Sequence, residues 1–298
     1  MSPPFISFEA GEERLDWLGL VTAFEAGHRL PKASIEDSFL YRGDDTILSR
    51  AAWIDGLGAL VKTATVYPGN PAKGRPMIDG AVTLFDDTTG APAAFIDFKL
   101  VTKWKTAADS LLAALRLAPD AKRVLIVGAG TVGHSVRQAF GAGFHDASFE
   151  IWNRTEARAE ELATGFEATS AVRDLEEAVG RADIIVGCTM VTEPWLKGAW
   201  LRDGSHVNLI GAYRPDMREA DDEALLRSRV FVDSFDTTLG HIGELKKPLE
   251  AGVIDRGHVL ADYYDLNAFT PGGTTFFKNG GGAHLDLMTA RYILDQFA

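Results

Sequence analysis

The sequence lacks most features that would place the protein outside the ordinary globular class. Its 298 residues include one cysteine, Cys188, which excludes an intramolecular disulfide and fits a reducing compartment. No apolar run approaches the roughly 18 residues of a membrane-spanning helix. The first residues have neither the basic nor the apolar region of a signal peptide. We therefore expect a cytoplasmic location.

Basic residues are also scarce. Lysine and arginine total 30 against 42 aspartate and glutamate, which gives a formal net charge of −12. A chain this acidic, with no dense basic run, is repelled by a phosphate backbone, so we expect no nucleic-acid partner. The seven histidines are dispersed and none has metal-ligand spacing to Cys, Asp or Glu, so we expect no metal site. At about 150 residues per domain, the length predicts two domains.

The most informative segment begins at residue 123. A short β-branched run is followed by GAGTVG at residues 128–133 and then by a helical pattern to residue 140. Strand-like and helical segments then alternate as far as residue 234. This alternation predicts an α/β region built as a Rossmann-type doubly wound parallel sheet, covered on both faces.

The chain on either side of this region lacks the regular alternation of strands and helices. Strand-like segments lie at 38–43, 58–69 and 81–99, with a turn-forming stretch at 86–92 and helices at 11–26 and 106–118. Residues 270–298 read as a glycine-rich loop and a terminal helix. We interpret these parts as an α+β domain with an antiparallel or mixed sheet, which the terminal helix rejoins.

The glycine turn predicts a dinucleotide site. Gly128 allows the tight turn, Gly130 lets a pyrophosphate approach the backbone, and Gly133 lets the helix pack on the strand. The amide groups that open the helix would then bind the phosphates. The full set of candidate cofactor-binding residues is Gly128, Gly130, Thr131, Val132, Gly133, Asn153, Arg154, Thr155, Cys188, Thr189 and Gly211. A small buried hydrophobic residue is the simpler interpretation of Cys188.

The end of the second predicted strand indicates which dinucleotide binds. An NAD site usually carries an acidic residue there, to accept from the ribose 2′-OH. This sequence has Asn153, Arg154 and Thr155, whose amide, guanidinium and hydroxyl suit a 2′-phosphate, whereas Glu150 comes too early. We predict NADPH as the cofactor, with NADH as the alternative.

Three cations recur near the ends of the first-domain strands: Arg42, Lys62 and Lys105. Lys62 lies within an apolar segment, where an unpaired ammonium group is costly. It should therefore either meet an anion or reach the surface. Taken singly, each of the three is consistent with an ordinary surface cation.

Several longer motifs resemble the ornithine cyclodeaminase/mu-crystallin family. They are KTATVYPGNP at 62–71, the stretches at 74–98 and 101–114, the glycine turn, HVNLIGAYRPDMRE at 206–219 and the stretch at 274–290. The resemblance implies a substrate and dimerisation domain at 1–118 plus 270–298, with the nucleotide domain at 119–269 inserted into it. It also implies a homodimer that acts on amino acids or their imines.

The same resemblance assigns the candidate catalytic residues. It implies that Arg42 and Lys62 contact the substrate carboxylate, and Lys105 stands where the family usually has arginine. Tyr213 stands where cyclodeaminases carry an aspartate that works on the substrate amine. Tyrosine is not ionised near neutral pH and does not replace a carboxylate base. We expect Tyr213 either to donate a hydrogen bond or merely to pack, and the segment is closer to the mu-crystallin branch.

These observations predict an NADPH-dependent imine or ketimine reductase that converts an α-imino acid into an amino acid. The cations would orient the substrate carboxylate, and Lys62 would supply the proton that keeps the imine electrophilic. The alternatives are an ornithine or lysine cyclodeaminase, an amino acid dehydrogenase similar to alanine dehydrogenase, and a non-catalytic NADPH-binding protein.

Overall fold

The computed structural model describes residues 2–298, which fall into two compact units. The first comprises residues up to 105 together with 281–298, and the second comprises 106–280. The boundaries thus differ from the predicted 118/119 and 269/270. Helix α3 (Phe98–Leu117) carries the chain from the first unit into the second.

The first unit is built on a six-stranded sheet in the order β1-β6-β5-β4-β3-β2. Neighbouring strands are antiparallel except β1 and β6, which are parallel. The strands are β1 (Phe5–Ile6), β2 (Ser34–Arg42), β3 (Asp45–Ile54), β4 (Gly58–Val66), β5 (Ile78–Phe85) and β6 (Pro92–Asp97).

Helices cover one face of this sheet. Helix α10 (Ala283–Asp295) lies on the strands, and α2 (Trp17–Gly27), which Asp16 caps through the amide of Gly19, packs on α10. Helix α1 (Phe8–Glu12) follows β1 and contacts α3 through Glu12. Helix α10 packs against α2, β3 and β4. Because side chains alternate along a strand, every second residue of β4 faces these helices, and Leu60 and Ala64 on that side are buried.

The second unit holds an eight-stranded sheet in the order β13-β12-β14-β11-β10-β7-β8-β9, with every pair parallel. Its strands are β7 (Arg123–Val127), β8 (Ser148–Trp152), β9 (Thr169–Ala171), β10 (Ile184–Gly187), β11 (His206–Leu209), β12 (Arg229–Val232), β13 (Val259–Ala261) and β14 (Thr275–Lys278). The chain runs outward from β7 through β8 to β9 and returns to β10 on the other side of β7. The topological switch point therefore lies between β7 and β10.

Helices connect these strands. They are α4 (Thr131–Gly143), α5 (Glu156–Thr164), α6 (Leu175–Arg181), α7 (Asp222–Leu226), α8 (Phe235–Thr238) and α9 (Gly243–Glu250). Single 3-10 turns lie at Pro71–Lys73, Gly198–Trp200 and Arg256–His258, and a longer one at Tyr263–Ala268. No helix among residues 2–298 combines the length and apolarity needed to cross a membrane.

The predicted fold class is confirmed, and three element assignments need correction. Strand β3 lies between the predicted strand-like segments at 38–43 and 58–69 and is absent from the prediction, and β14 lies inside the stretch interpreted as a glycine-rich loop. Strand β14 pairs with both β11 and β12, so it belongs to the interior of the parallel sheet. Helix α3 begins at Phe98, eight residues earlier than the predicted start at 106.

Candidate functional site: a cation cluster and a dinucleotide turn

A row of charged residues crosses the helix-covered face of the first unit's sheet. Asp37 of β2 is directly opposite Arg50 of β3, and Arg50 is opposite Lys62 of β4. Directly opposed residues in an antiparallel pair project from the same face, so all three lie on one side. The Asp37 carboxylate accepts hydrogen bonds from Nε and Nη2 of Arg50 at 3.0–3.1 Å and holds the guanidinium in place.

Lys62 meets its anion inside the unit. Its Nζ donates to Oδ1 of Asp286 on α10 at 2.8 Å, and both residues are buried. Burial lowers the pKa of Lys62 to about 8 despite the attraction of Asp286, and Lys105 and Arg50 lower it further. Burial opposes ionisation of Asp286, yet these cations hold its pKa below the ordinary value. Both groups are therefore charged at neutral pH, and Lys62 gives up its proton readily.

The carbonyl oxygen of Gly281 joins two further cations to this pair. It accepts from Nη1 of Arg50 at 2.8 Å and from Nζ of Lys105 at 3.1 Å. Gly281 has a φ of +69°, and a Cβ there would lie 2.8 Å from Nζ of Lys105. Glycine at this position therefore lets the backbone approach the cation closely. We call Arg50, Lys62, Lys105 and Asp286 the cation cluster.

Arg42 is the predicted carboxylate contact that the structure does not bring to the cluster. It ends β2 five positions after Asp37, and alternation along the strand therefore directs it to the opposite face of the sheet. Its side chain is 77% exposed and forms an ion pair with Asp45 at 2.8 Å. Arg50, which the sequence analysis did not select, supplies the guanidinium instead.

The glycine turn of the second unit suits a pyrophosphate. Gly128 has a φ of +114°, and a Cβ there would lie 2.9 Å from the carbonyl oxygen of Cys188. A Cβ on Gly133 would lie 2.0 Å from the carbonyl oxygen of Gly128, whereas one on Gly130 would meet open space. The turn therefore packs tightly except at Gly130, the N-cap residue of α4. The first-turn amides of α4, including those of Thr131 and Val132, are oriented to bind an anion there.

Of the residues that follow β8, Asn153 is hydrogen-bonded within the fold and Arg154 is exposed to solvent. Oδ1 of Asn153 accepts from the amide of Ala129 at 3.1 Å, and its Nδ2 donates to the carbonyl of Thr155 at 2.9 Å. Asn153 thus supports the glycine turn. Arg154 is exposed, and its side chain has no partner among residues 2–298. Both carboxylate oxygens of Glu150 accept hydrogen bonds from Arg181, so this carboxylate is already paired.

Thr189 and Gly211 follow β10 and β11 and touch each other. A Cβ on Gly211 would lie 2.0 Å from the carbonyl oxygen of Thr189, so only glycine permits this approach. The Thr189 hydroxyl donates to Oε1 of Glu219 at 2.6 Å and accepts from the Trp195 indole at 2.9 Å. Cys188 lies beside the glycine turn, where desolvation and the Glu219 carboxylate raise the pKa of its thiol. It is therefore an inert thiol, not a nucleophile.

Tyr213 lies in the loop after β11 and is 55% exposed. Its ring is stacked by the guanidinium of Arg214 at 5.7 Å, and Arg214 is itself paired with Asp216. The ring is therefore supported from one side, while most of it faces solvent. Within residues 2–298, no group of three or more His, Cys, Asp or Glu side chains could hold a metal ion.

The chain is similar to proteins of known family and structure over most of its length. A sequence profile of the ornithine cyclodeaminase/mu-crystallin family matches residues 54–298. The chain is 48% identical to Δ1-pyrroline-2-carboxylate reductase of Paracoccus denitrificans, over 98% of this chain and 96% of that one.

Two solved structures superpose over nearly the whole chain. One is Δ1-pyrroline-2-carboxylate reductase of Thermococcus litoralis with NADH and L-proline, at a TM-score of 0.88 and 27% identity, covering 98% of this chain and 96% of that chain. The other is an archaeal alanine dehydrogenase dimer with bound NAD, at a TM-score of 0.90 and 26% identity, covering 99% and 96%.

Proposed function

The chain belongs to the ornithine cyclodeaminase/mu-crystallin family, and on that premise we propose that it reduces the C=N bond of a cyclic α-imino acid with NAD(P)H. The product is a cyclic amino acid such as proline. The observation that carries this proposal is the cation cluster, in which Lys62 binds one buried carboxylate and Arg50 and Lys105 share the Gly281 carbonyl. Similarity to a pyrroline-2-carboxylate reductase supports the ring size.

The charges of the cluster favour an anionic substrate. Arg50, Lys62 and Lys105 carry three positive charges, whereas Asp286 and Asp37 carry two negative ones. One substrate carboxylate would neutralise the remaining charge. Arg50 suits this role because Asp37 fixes its guanidinium, and a fixed planar group loses little conformational entropy on binding.

Lys62 is proposed as the proton donor. Its ammonium is held by Asp286 at 2.8 Å, and burial brings its pKa to about 8, so at neutral pH it carries a proton that it releases easily. The imine nitrogen takes this proton while the imine carbon takes a hydride. Solvent then reprotonates Lys62. The rate should therefore fall as the pH rises through about 8.

The second unit is proposed to bind and orient the cofactor, which supplies the hydride from nicotinamide C4. The glycine turn and the α4 amides would hold its pyrophosphate, with Thr189 and Gly211 bordering the nicotinamide half. The exposed Arg154 suits a 2′-phosphate, so we propose NADPH as the preferred form. Asn153 would contribute by supporting the turn, with Thr155 at the start of α5.

We also propose that the protein forms a homodimer through the uncovered face of the first unit's sheet. Alternation along the strands places several exposed apolar side chains on that face: Phe5, Leu40, Ile47, Trp53, Val61 and Phe95. Exposed apolar side chains grouped on one face mark an interaction site. A second copy is the occupant we favour, since an alanine dehydrogenase of 26% identity is a dimer. Sedimentation equilibrium should give twice the chain mass, and Trp53→Asp should lower it to one.

A substrate panel tests the proposed reaction. NADPH absorbance is followed with the five- and six-membered cyclic imino acids, with 2-oxo acids plus ammonium, and with ornithine plus NAD. Oxidation of NADPH by the cyclic imino acids supports the proposal. Turnover only with 2-oxo acids would indicate an amino acid dehydrogenase, and ammonia release from ornithine a cyclodeaminase. Tight NADPH binding without any turnover would indicate a binding protein.

A further inference from the structure

One acidic residue lies beneath both segments that follow β10 and β11. The Glu219 side chain is fully buried. Its Oε1 accepts from the amide of Thr189 at 2.9 Å and from the Thr189 hydroxyl at 2.6 Å. Its Oε2 accepts from the amides of Gly211 at 2.7 Å and Ala212 at 3.2 Å. One carboxylate thus joins two segments through four hydrogen bonds.

The two segments that Glu219 joins lie next to the topological switch point of the sheet, where a dinucleotide would bind. Strand β10 borders the topological switch point, and in open parallel sheets the dinucleotide binds outside the carboxyl ends of the strands at that point. The glycine turn after β7 would hold the pyrophosphate. The segments after β10 and β11 lie on the side of β7 opposite β8, where the nicotinamide half would extend.

We infer that Glu219 is a positioning residue for the nicotinamide half of the cofactor, and this inference rests on the proposed function. An ionised carboxylate only accepts hydrogen bonds, and here all its partners are donors. It therefore fixes the distance between Thr189 and Gly211, which form one wall of the site. A Cβ on Gly187 would lie 2.7 Å from Oε1 of Glu219, so glycine there keeps the space that the carboxylate fills.

Further buried groups hold Glu219 itself. The amides of Glu219 and Ala220 donate to the Glu244 carboxylate at 2.7 and 3.0 Å. The buried ammonium of Lys278 donates to the carbonyl of Leu209, the last residue of β11, at 2.8 Å. Its charge also offsets those of the two glutamates. The segment is therefore fixed before any ligand binds, as positioning requires.

The variant Glu219→Gln tests the inference through binding alone. Its amide group would turn an N–H donor toward other N–H donors and separate the two segments. We expect the dissociation constant of NADPH to rise about tenfold, while that of 2′,5′-ADP, the adenosine half, changes less than about twofold. The dissociation constants of NADH and 5′-ADP are compared in the same way. Amide exchange at Thr189 and Gly211 should also become faster in the free protein.

The control is Glu150→Gln, which makes the same chemical change at a carboxylate bound to Arg181 in the same unit. It should leave both affinities unchanged. If Glu219→Gln does not fold, Thr189→Val serves as the second variant. It removes the hydroxyl contacts with Glu219 and with the Trp195 indole and keeps the amide contact with Glu219. It should weaken NADPH binding more than 2′,5′-ADP binding, by a smaller factor than Glu219→Gln. Equal weakening of NADPH and 2′,5′-ADP, or no change in either, would overturn the inference. Failure of the proposed function is seen separately, as absence of turnover in the wild type.

Discussion

The two compact units bury charge in opposite ways. In the first unit, Arg50, Lys62 and Lys105 outnumber the carboxylates beside them. Two of these cations donate to one carbonyl oxygen, and Lys62 donates to Asp286. In the second unit, Glu219 and Glu244 are saturated by backbone amides. An unbalanced cluster is suited to bind an anion, whereas a saturated one is suited to fix the backbone. The difference supports the proposal that the first unit binds the substrate and the second unit holds the backbone around the cofactor in a fixed shape.

Removing the proposed proton donor should have the largest effect. Lys62→Met deletes the ammonium and leaves Asp286 buried without its partner. We expect kcat/KM for the cyclic imino acid to fall about a thousandfold, within the usual range for a lost general acid. NADPH affinity should stay within about twofold of the wild type, because the glycine turn belongs to the other unit.

The matched control is Lys99→Met, which removes an exposed ammonium from the first turn of α3. Its steady-state kinetics should equal those of the wild type. A Lys62→Met enzyme that keeps near-wild-type rates would remove Lys62 from the chemistry.

Replacing Arg50 and Arg42 one at a time tests which of them contacts the substrate carboxylate. Arg50→Met should lower kcat/KM for the imino acid about a hundredfold, whereas Arg42→Met should change it less than about twofold. Reduction of a cyclic imine without a carboxylate should be equal in both variants. The reverse ranking of the two arginines would restore the assignment that the family resemblance implies.

The contrast between Arg42 and Arg50 shows where sequence reasoning stops. The glycine turn and the alternation of strands and helices were predictable, because each depends on residues close together in sequence. Arg50 has no local signal, since its role depends on its register opposite Lys62 and on a carbonyl 231 residues away. Recognition of β3 as a separate strand would have shown that Arg42 faces the other side.

Two more features depended on distant parts of the chain. Strand β14 has four residues between glycine-rich stretches, and its place in the interior of the sheet depends on pairing with β11 and β12. Glu219 reads as one acid among several near residue 220. Only the folded chain brings its carboxylate to the amides of two separate segments.

Cofactor preference should respond moderately to one exposed residue. Arg154→Ala removes a guanidinium without disturbing any contact that the structure records for its side chain. We expect the ratio of kcat/KM for NADPH over that for NADH to fall about tenfold, the size of one lost charge-assisted contact. An unchanged ratio would show that Arg154 does not determine the preference for NADPH. Arg123→Ala, which alters an arginine at the start of β7, should leave the ratio unchanged.

The smallest effect concerns pH and stability in the second unit. Burial, followed by repulsion from Glu219, raises the pKa of Glu244 from 4.5 to about 7. The folded state therefore binds more protons than the unfolded state between these values, so this group makes stability fall as the pH rises from 4.5 to 7. The free energy of unfolding should decline by about 1–3 kcal/mol across that range.

Urea denaturation at pH 5, 6 and 7.5 measures this contribution as the difference between the wild type and Glu244→Gln. The variant should lose the decline, whereas Glu177→Gln, at an exposed carboxylate, should retain it. Parallel pH curves for the wild type and Glu244→Gln would show that Glu244 is ionised throughout.

The central claim is that the cation cluster selects the carboxylate of an imino acid. The most direct measurement compares kcat/KM of the wild-type enzyme, with NADPH, for Δ1-pyrroline-2-carboxylate and for 1-pyrroline, which differ only in that group. The account predicts a preference of about a thousandfold for the carboxylate, because two or more charged contacts are lost without it. Equal rates for the two imines, or turnover of neither, would contradict it.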